Sequence, residues 1–198
     1  MSTATATTLL TAEEFFVWAN HPERGGTQYE LEAGEIIEMP SPGEIHALVC
    51  WYVIELLSAY LRLRGEGAVL TNDGGQLLQR NPDTVRGPDI AVYPMDRSLE
   101  DAVPGPTERR PSLIVEVRSP SDRDGRILRR VRQYLDAGVL MVWVVDPEDR
   151  NVVVYEPDRF PDVRASSELL DGSRALPDFS CPVTDLFIMP KLRTSYRG

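Results

Sequence analysis

Two short runs, Leu113-Ile114-Val115 and Val142-Trp143-Val144-Val145, constrain this chain more than anything else in it. Each is apolar at consecutive positions, so a strand made from it has no polar face to turn to water and must be covered on both sides. Helices are the natural covers, and two segments have the spacing for them. Over residues 44–64, Ile45, Leu48, Val49, Tyr52, Val53, Leu56, Leu57, Tyr60 and Leu61 recur at helical period. Over 124–137, Ile127, Leu128, Val131, Tyr134 and Leu135 do the same, and Gly138 stops the helix. Further strands are predicted at 68–72, 76–78, 89–93 and 152–155. A hairpin is predicted from 29–31 and 35–39, and an amphipathic helix at 11–19 capped by Thr11 and Glu14. The fold class that follows is α/β (α+β), a mixed central sheet flanked by helices.

With 198 residues, 42% of them hydrophobic, the chain can fill one core. We expect one domain over 1–198, with an N-terminal helical arm at 1–24 and a C-terminal extension at 157–198 that wraps the core. No uninterrupted apolar run approaches the roughly 20 residues of a membrane span, and the N-terminus lacks the pattern of a secretory signal. A cytoplasmic protein with no membrane partner is expected. Cys50 and Cys181 are far apart and have no zinc-type spacing, so both read as small buried hydrophobes.

The formal net charge of −10 argues against broad adhesion to nucleic acid. Its distribution is uneven, because Arg118, Arg123, Arg126, Arg129, Arg130 and Arg132 crowd into one segment that carries only Asp122 and Asp124 as acids. Lys191 is the only lysine in the chain, so chemistry that needs a lysine in the core has none to use.

Chemistry points to two carboxylates. Asp89 begins one core strand after Gly87-Pro88, and Glu116 lies near the end of the next, inside an otherwise apolar run where an unpaired charge is costly. If these strands are neighbours, the two acids converge and can hold a hard cation such as Mg²⁺ through oxygen. Such an ion acidifies a bound water and offsets the charge that builds on a phosphoryl group. On a helical wheel Arg130 falls at the edge of the apolar stripe, one turn before Tyr134, from where a long side chain reaches toward such a site. Arg126, Arg129 and Arg132 point further out.

In order along the chain stand Tyr29-Glu30-Leu31 with Gly34-Glu35, Pro42 with His46, Pro88-Asp89, Glu116-Val117 with Ser119-Pro120-Ser121, Tyr134 with Ala137-Gly138-Val139, and Trp143 with Asp146-Pro147. Together they resemble the PD-(D/E)XK nuclease superfamily, and within it the restriction-endonuclease branch of the Uma type, over about residues 29–187. The resemblance implies a restriction-endonuclease-like core, Mg²⁺- or Mn²⁺-dependent cutting of DNA, and Asp89 and Glu116 as metal ligands joined by the Val117 carbonyl. It also makes His46, Glu35 and Glu30 candidate site groups. The family carries its lysine four residues before the tyrosine matched by Tyr134; here that position is Arg130, while Arg118 fills the superfamily's usual slot two residues after Glu116. Arginine keeps its charge but cannot act as a base. On this reading, removing Arg130 costs cutting and leaves the fold intact.

Three functions stay open on the sequence. The first is an active metal-dependent endonuclease, for which a homodimer would suit a double-strand cut. The second is a nuclease-fold protein that binds nucleic acid or a protein partner without turnover. The third is a metal-dependent hydrolase of smaller phosphate esters.

Overall fold

The structure, a computed structural model, describes residues 9–71, 74–93, 100 and 102–188. Its elements run α1 (Ala12–Ala19), β1 (Gln28–Glu32), β2 (Glu35–Met39), α2 (Glu44–Arg64), β3 (Ala68–Thr71), β4 (Gln76–Gln79), β5 (Thr84–Arg86), β6 (Ile90–Tyr93), β7 (Leu113–Val117), α3 (Asp124–Asp136), β8 (Met141–Asp146), β9 (Asn151–Tyr155), β10 (Asp162–Arg164), β11 (Leu169–Asp171) and β12 (Ser180–Pro182).

The two apolar runs become β7 and β8, adjacent in the middle of a six-stranded sheet of order β10-β9-β8-β7-β6-β3. They pair in parallel, and the other described pairings of this sheet are antiparallel. Parallel neighbours need a crossover, and α3 supplies it. Alternation then sorts the side chains. Ile90, Val92, Leu113, Val115, Val117, Trp143 and Val145 pack with Val49, Val53, Leu57 and Leu61 of α2, whereas Ala91, Ile114, Val142 and Val144 pack with Ile127, Val131 and Tyr134 of α3. The mixed sheet with helices on both faces is therefore present. Helix α2 ends at Gly65, whose φ of 71° is the left-handed cap that glycine adopts without strain. Among the described helices α2 alone is long and apolar enough to cross a membrane, and here one of its faces packs on the sheet.

A second sheet was not expected. β2, β1, β5 and β4 form a four-stranded antiparallel sheet in that order, and α1 packs on it through Ala12 and Phe15 against Leu31, Leu77 and Val85. The N-terminal helix is thus docked on this sheet, with the capping box between Thr11 and Glu14 formed as predicted. Beyond β10, Leu170, Leu176, Phe179, Val183 and Leu186 add to the core on the α2 side. The ends of the expected arm and extension, 1–8 and 189–198, lie outside the described residues.

Asp83 ties α1 to this second sheet. Its Oδ2 accepts the Ala12 N–H at 2.8 Å and an Arg80 N–H at 2.9 Å, and its Oδ1 accepts the Asn81 N–H at 3.1 Å. Burial pushes this carboxyl up, but the bonds from Ala12, Asn81 and Arg80 outweigh it and hold the group below its ordinary 3.8. A depressed carboxylate stabilises the fold at higher pH, and the contribution disappears as pH falls through the native value. Asp83→Ala should cost about 2–3 kcal/mol at neutral pH, the scale of lost hydrogen bonds to a charged group. The gap between variant and parent in a denaturant melt should begin to narrow below about pH 3.8 and go on shrinking as pH falls through the lower native value. An equal gap at pH 3 and pH 7 would remove the carboxylate from the explanation.

Candidate active site

Asp89 directly precedes β6, and Glu116 is the fourth residue of β7. Ile90 stands opposite Val115 in an antiparallel register, so one further step sets Asp89 beside Glu116 at the same end of two neighbouring strands. Asp89 is clamped through one oxygen. Its Oδ2 accepts the Val117 backbone N–H at 2.7 Å and lies 3.1 Å from His46 Nε2, on the first turn of α2. That hydrogen bond, followed by the contact of His46 Nδ1 with Cys50 Sγ at 3.6 Å, outweighs burial and raises the imidazole pKa to about 10. His46 is therefore an imidazolium at neutral pH and donates to Asp89.

Glu116 is held the same way from the α3 side. Its Oε1 accepts the Tyr134 hydroxyl at 2.5 Å and Arg130 Nη2 at 2.9 Å. Burial pushes its pKa up to about 7; the Arg130 cation opposes this, and the neighbouring Asp89 charge adds to it. Among the described residues both bonds to Asp89 end on Oδ2 and both bonds to Glu116 end on Oε1. Each acid is thus fixed by one oxygen and keeps the other, Oδ1 or Oε2, for a ligand. Two fixed, oxygen-donating acids at the mouth of one cleft fit a hard divalent cation that retains some of its waters. Val117 lines the same cleft and gives its N–H to Asp89.

Arg130 leaves the edge of its helix toward these acids, as the wheel predicts, but it finds a second partner. Nη1 lies 2.7 Å from both oxygens of Glu30, while Nη2 also reaches Tyr134 Oη at 3.1 Å and the Gly87 carbonyl at 3.3 Å. Glu30, only 3% exposed, further accepts Arg86 Nη1 and the Gly87 N–H, each at 2.8 Å. Arg86 itself is 4% exposed and is bound by Gln133 of α3 at 2.8 Å and by Glu32 at 2.9 Å. A buried chain of alternating charge thus links β1, β5, α3 and β7. Of the two hairpin acids, Glu30 is the one inside; Glu35 is exposed and does not line the cleft.

Glu30, His46, Asp89, Glu116, Arg118 and Arg130 all line one cleft of about 310 Å³. Arg118 sits at its mouth, with Nη2 on Asp124 at 2.8 Å and Nη1 3.3 Å from Asp146. Arg126 lines the same opening, while Arg129 and Arg132 are exposed on the outer face of α3. Sequence reasoning missed Arg86 and Gln133 altogether and took Tyr134 for an apolar residue. The available signal was Tyr134 itself, since a buried phenol needs a hydrogen-bond partner.

Comparison with known proteins identifies the fold and the family. The crystal structure of a putative nuclease belonging to DUF820 from Anabaena variabilis superposes with a TM-score of 0.75 at 20% sequence identity, covering 90% of this chain and 97% of that one. At that identity the likeness establishes a shared fold. No curated protein sequence matches the chain. The profile of the Uma2 family, described as "Putative restriction endonuclease", matches residues 12–184, nearly the whole described chain and every residue of the cleft. By that match the chain belongs to the Uma2 family.

Proposed function

We propose that the chain is an endonuclease that hydrolyses DNA phosphodiester bonds in the cytoplasm with Mg²⁺ or Mn²⁺ held by Asp89 and Glu116. The observation that carries this is the one-sided clamping of both acids, which leaves one oxygen of each for a cation. When bound, a divalent cation supplies a water of lowered pKa and positive charge beside the scissile phosphate.

The protein's own groups do the rest. The Val117 N–H and His46 fix the orientation of Asp89. Tyr134 and Arg130 do so for Glu116, and the guanidinium charge also favours ionisation of a carboxyl that burial disfavours. Arg130 remains protonated and bound to two carboxylates, so it holds charge and geometry and does not take the proton of the attacking water. Arg118 and Arg126 place positive charge at the opening of a cleft in an otherwise acidic protein, where phosphates enter. Paired cuts in a duplex call for two copies of the chain acting together.

Incubating plasmid DNA with the metal-free protein and added Mg²⁺ or Mn²⁺ should give nicked and then linear products, and chelation should stop them. A protein that binds Mn²⁺ and DNA yet never cuts would replace this reading with the second, a nuclease fold that binds without turnover. That alternative has one observation in its favour, the commitment of Arg130 to Glu30 and Glu116 at the family's lysine position.

DNA affinity should depend on the outer face of α3. Replacing Arg126, Arg129 and Arg132 together by glutamine should lower the slope of log K against log salt by about one unit for each phosphate that the protein ceases to neutralise. Arg129 already has Glu32 at 3.4 Å, so it should contribute least. An unchanged slope would make these arginines an ordinary solvated helix face.

A further inference from the structure

We propose that His46, Cys50 and Asp89 form a second metal site, one that selects a thiophilic divalent cation such as Zn²⁺ and competes for Asp89 with the oxygen-only site that Asp89 shares with Glu116. The donors come from two elements. His46 and Cys50 are four residues apart on α2, so both side chains leave the same face of the helix, and the start of β6 brings Asp89 beneath them. One donor atom from each lies within 4.8 Å of the other two. Tetrahedral zinc, with bonds of about 2.0–2.3 Å, sets its donors roughly 3.3–3.7 Å apart. The existing contacts run through different ring nitrogens, Nε2 to Asp89 at 3.1 Å and Nδ1 to Cys50 at 3.6 Å. Ligation through one nitrogen, freed of its proton, therefore takes a turn of the Cys50 or His46 side chain within the 4.8 Å that already encloses the three donors.

The donor set decides which ion is taken. A thiolate and an imidazole suit Zn²⁺, Co²⁺ or Cd²⁺ and have little use for Mg²⁺, which seeks oxygen and sheds its waters reluctantly. Three protein ligands leave a fourth position of the tetrahedron to water. Cys50 is half-buried, one helical turn from His46, which lines the cleft. The sequence alone gives no hint of this, because its nearest cysteine–histidine spacing lacks any second pair and Asp89 lies 43 residues beyond His46. The thiol read as inert is the one that the fold carries to a histidine.

Asp89 belongs to both donor sets through different oxygens, Oδ2 facing His46 and Oδ1 left for the Mg²⁺ site. A zinc-type ion bound through His46 and Cys50 therefore sets a second divalent charge on the same carboxylate and competes with Mg²⁺ for it. That consequence rests on the proposed function, whereas the binding itself does not. The protein is then poised between an active state with a hard cation and a blocked state with a soft one.

Metal-free full-length protein, kept reduced with a phosphine, is titrated with Co²⁺. A thiolate-to-cobalt charge-transfer band should appear, saturate at one ion per chain and be bleached by Zn²⁺. Cys50→Ser should abolish the band and weaken Zn²⁺ binding at least tenfold, the low end of what even an outer-shell change costs a metal site. Cys181→Ser, on a thiol buried in the core away from the cleft, should leave both unchanged. In the unsubstituted chain Zn²⁺, but not Mg²⁺, should protect Cys50 from alkylation by iodoacetamide, a readout that does not depend on how any variant folds. Absence of the band, its survival in Cys50→Ser, or alkylation of Cys50 at the same rate with and without Zn²⁺ would overturn the proposal. If the band forms as expected but Mn²⁺ neither binds nor supports cutting, the nuclease reading falls and the soft-metal site stands. If Zn²⁺ binds without displacing Mn²⁺, the competition falls.

Discussion

Glu116→Gln and Asp89→Asn should each reduce metal-dependent DNA cutting by at least roughly 10²–10³, the cost of removing one positioned electrostatic group from a reacting centre. Both substitutions preserve shape. In Glu116→Gln the side-chain carbonyl could still accept from Tyr134 and Arg130, which now meet at Glu116 Oε1, so the local packing has no reason to change. What disappears is the charge that holds a cation. At about 100 times its Kd, Mn²⁺ should stabilise the parent against unfolding by about 2.7 kcal/mol and add almost nothing to either variant. The metal-free proteins should behave in the opposite sense for Glu116. Its native pKa of about 7 lies above the ordinary 4.5, so the unfolded chain gives up the proton first and the fold loses stability as pH rises between those values. Above pH 7, metal-free Glu116→Gln should therefore match or exceed its parent in stability while failing to respond to Mn²⁺. If both variants keep the parent's Mn²⁺ affinity, the cation is held elsewhere and the assignment of these two acids is wrong.

What could be seen in the sequence and what could not follows from how far apart the interacting residues are. The strands β7 and β8 and the helices α2 and α3 carry their burial in their own local pattern, two consecutive-apolar runs and two helical stripes, and all four appear where the pattern puts them. Asp89 and Glu116 were legible because each breaks such a pattern with a charge. The second sheet was not, because β5 has three residues and ends in the charged Arg86, which alternation alone assigns to no buried face. Glu30 was a candidate through the resemblance alone, and its burial was hidden for the same reason. Its partners, Arg86 and Arg130, lie 56 and 100 residues away, and only the folded chain brings them to it. The other candidate acid of that hairpin, Glu35, begins β2 and stays exposed. Charge pairing across the fold overrides the local expectation because an ionised group without a partner is not tolerated inside.

Arg130→Ala should unfold the protein more readily as well as abolish cutting, which departs from the expectation that the fold would survive its loss. The reason is that Arg130 is 7% exposed and bridges Glu30 and Glu116, so truncation leaves two buried carboxylates short of a cation. Breaking such a network by removing one partner costs about 3–5 kcal/mol, or roughly 6–20 °C in Tm for a chain of this size. Arg130→Lys keeps the charge but not the fork. One ammonium cannot stand in both places, where Nη1 meets Glu30 and Nη2 meets Glu116, so a loss of roughly 0.5–3 kcal/mol is expected. On the proposed nuclease reading, cutting by Arg130→Lys should nevertheless equal or exceed that of the parent, because the compact ammonium supplies the group that the sequence resemblance implies for this position and loosens the hold on Glu116. Stability and rate are separated by a third variant, Arg130→Met combined with Glu30→Gln, which removes one charge of each sign. It should recover most of the lost stability, since an apolar or neutral replacement of a buried pair is often harmless, and recover no cutting. Were that double variant to cut as well as Arg130→Lys, the positive charge at position 130 would have no part in the reaction. Arg118, at the cleft mouth between Asp124 and Asp146, would then be the arginine to test next, able to turn toward a phosphate by giving up two partly exposed ion pairs.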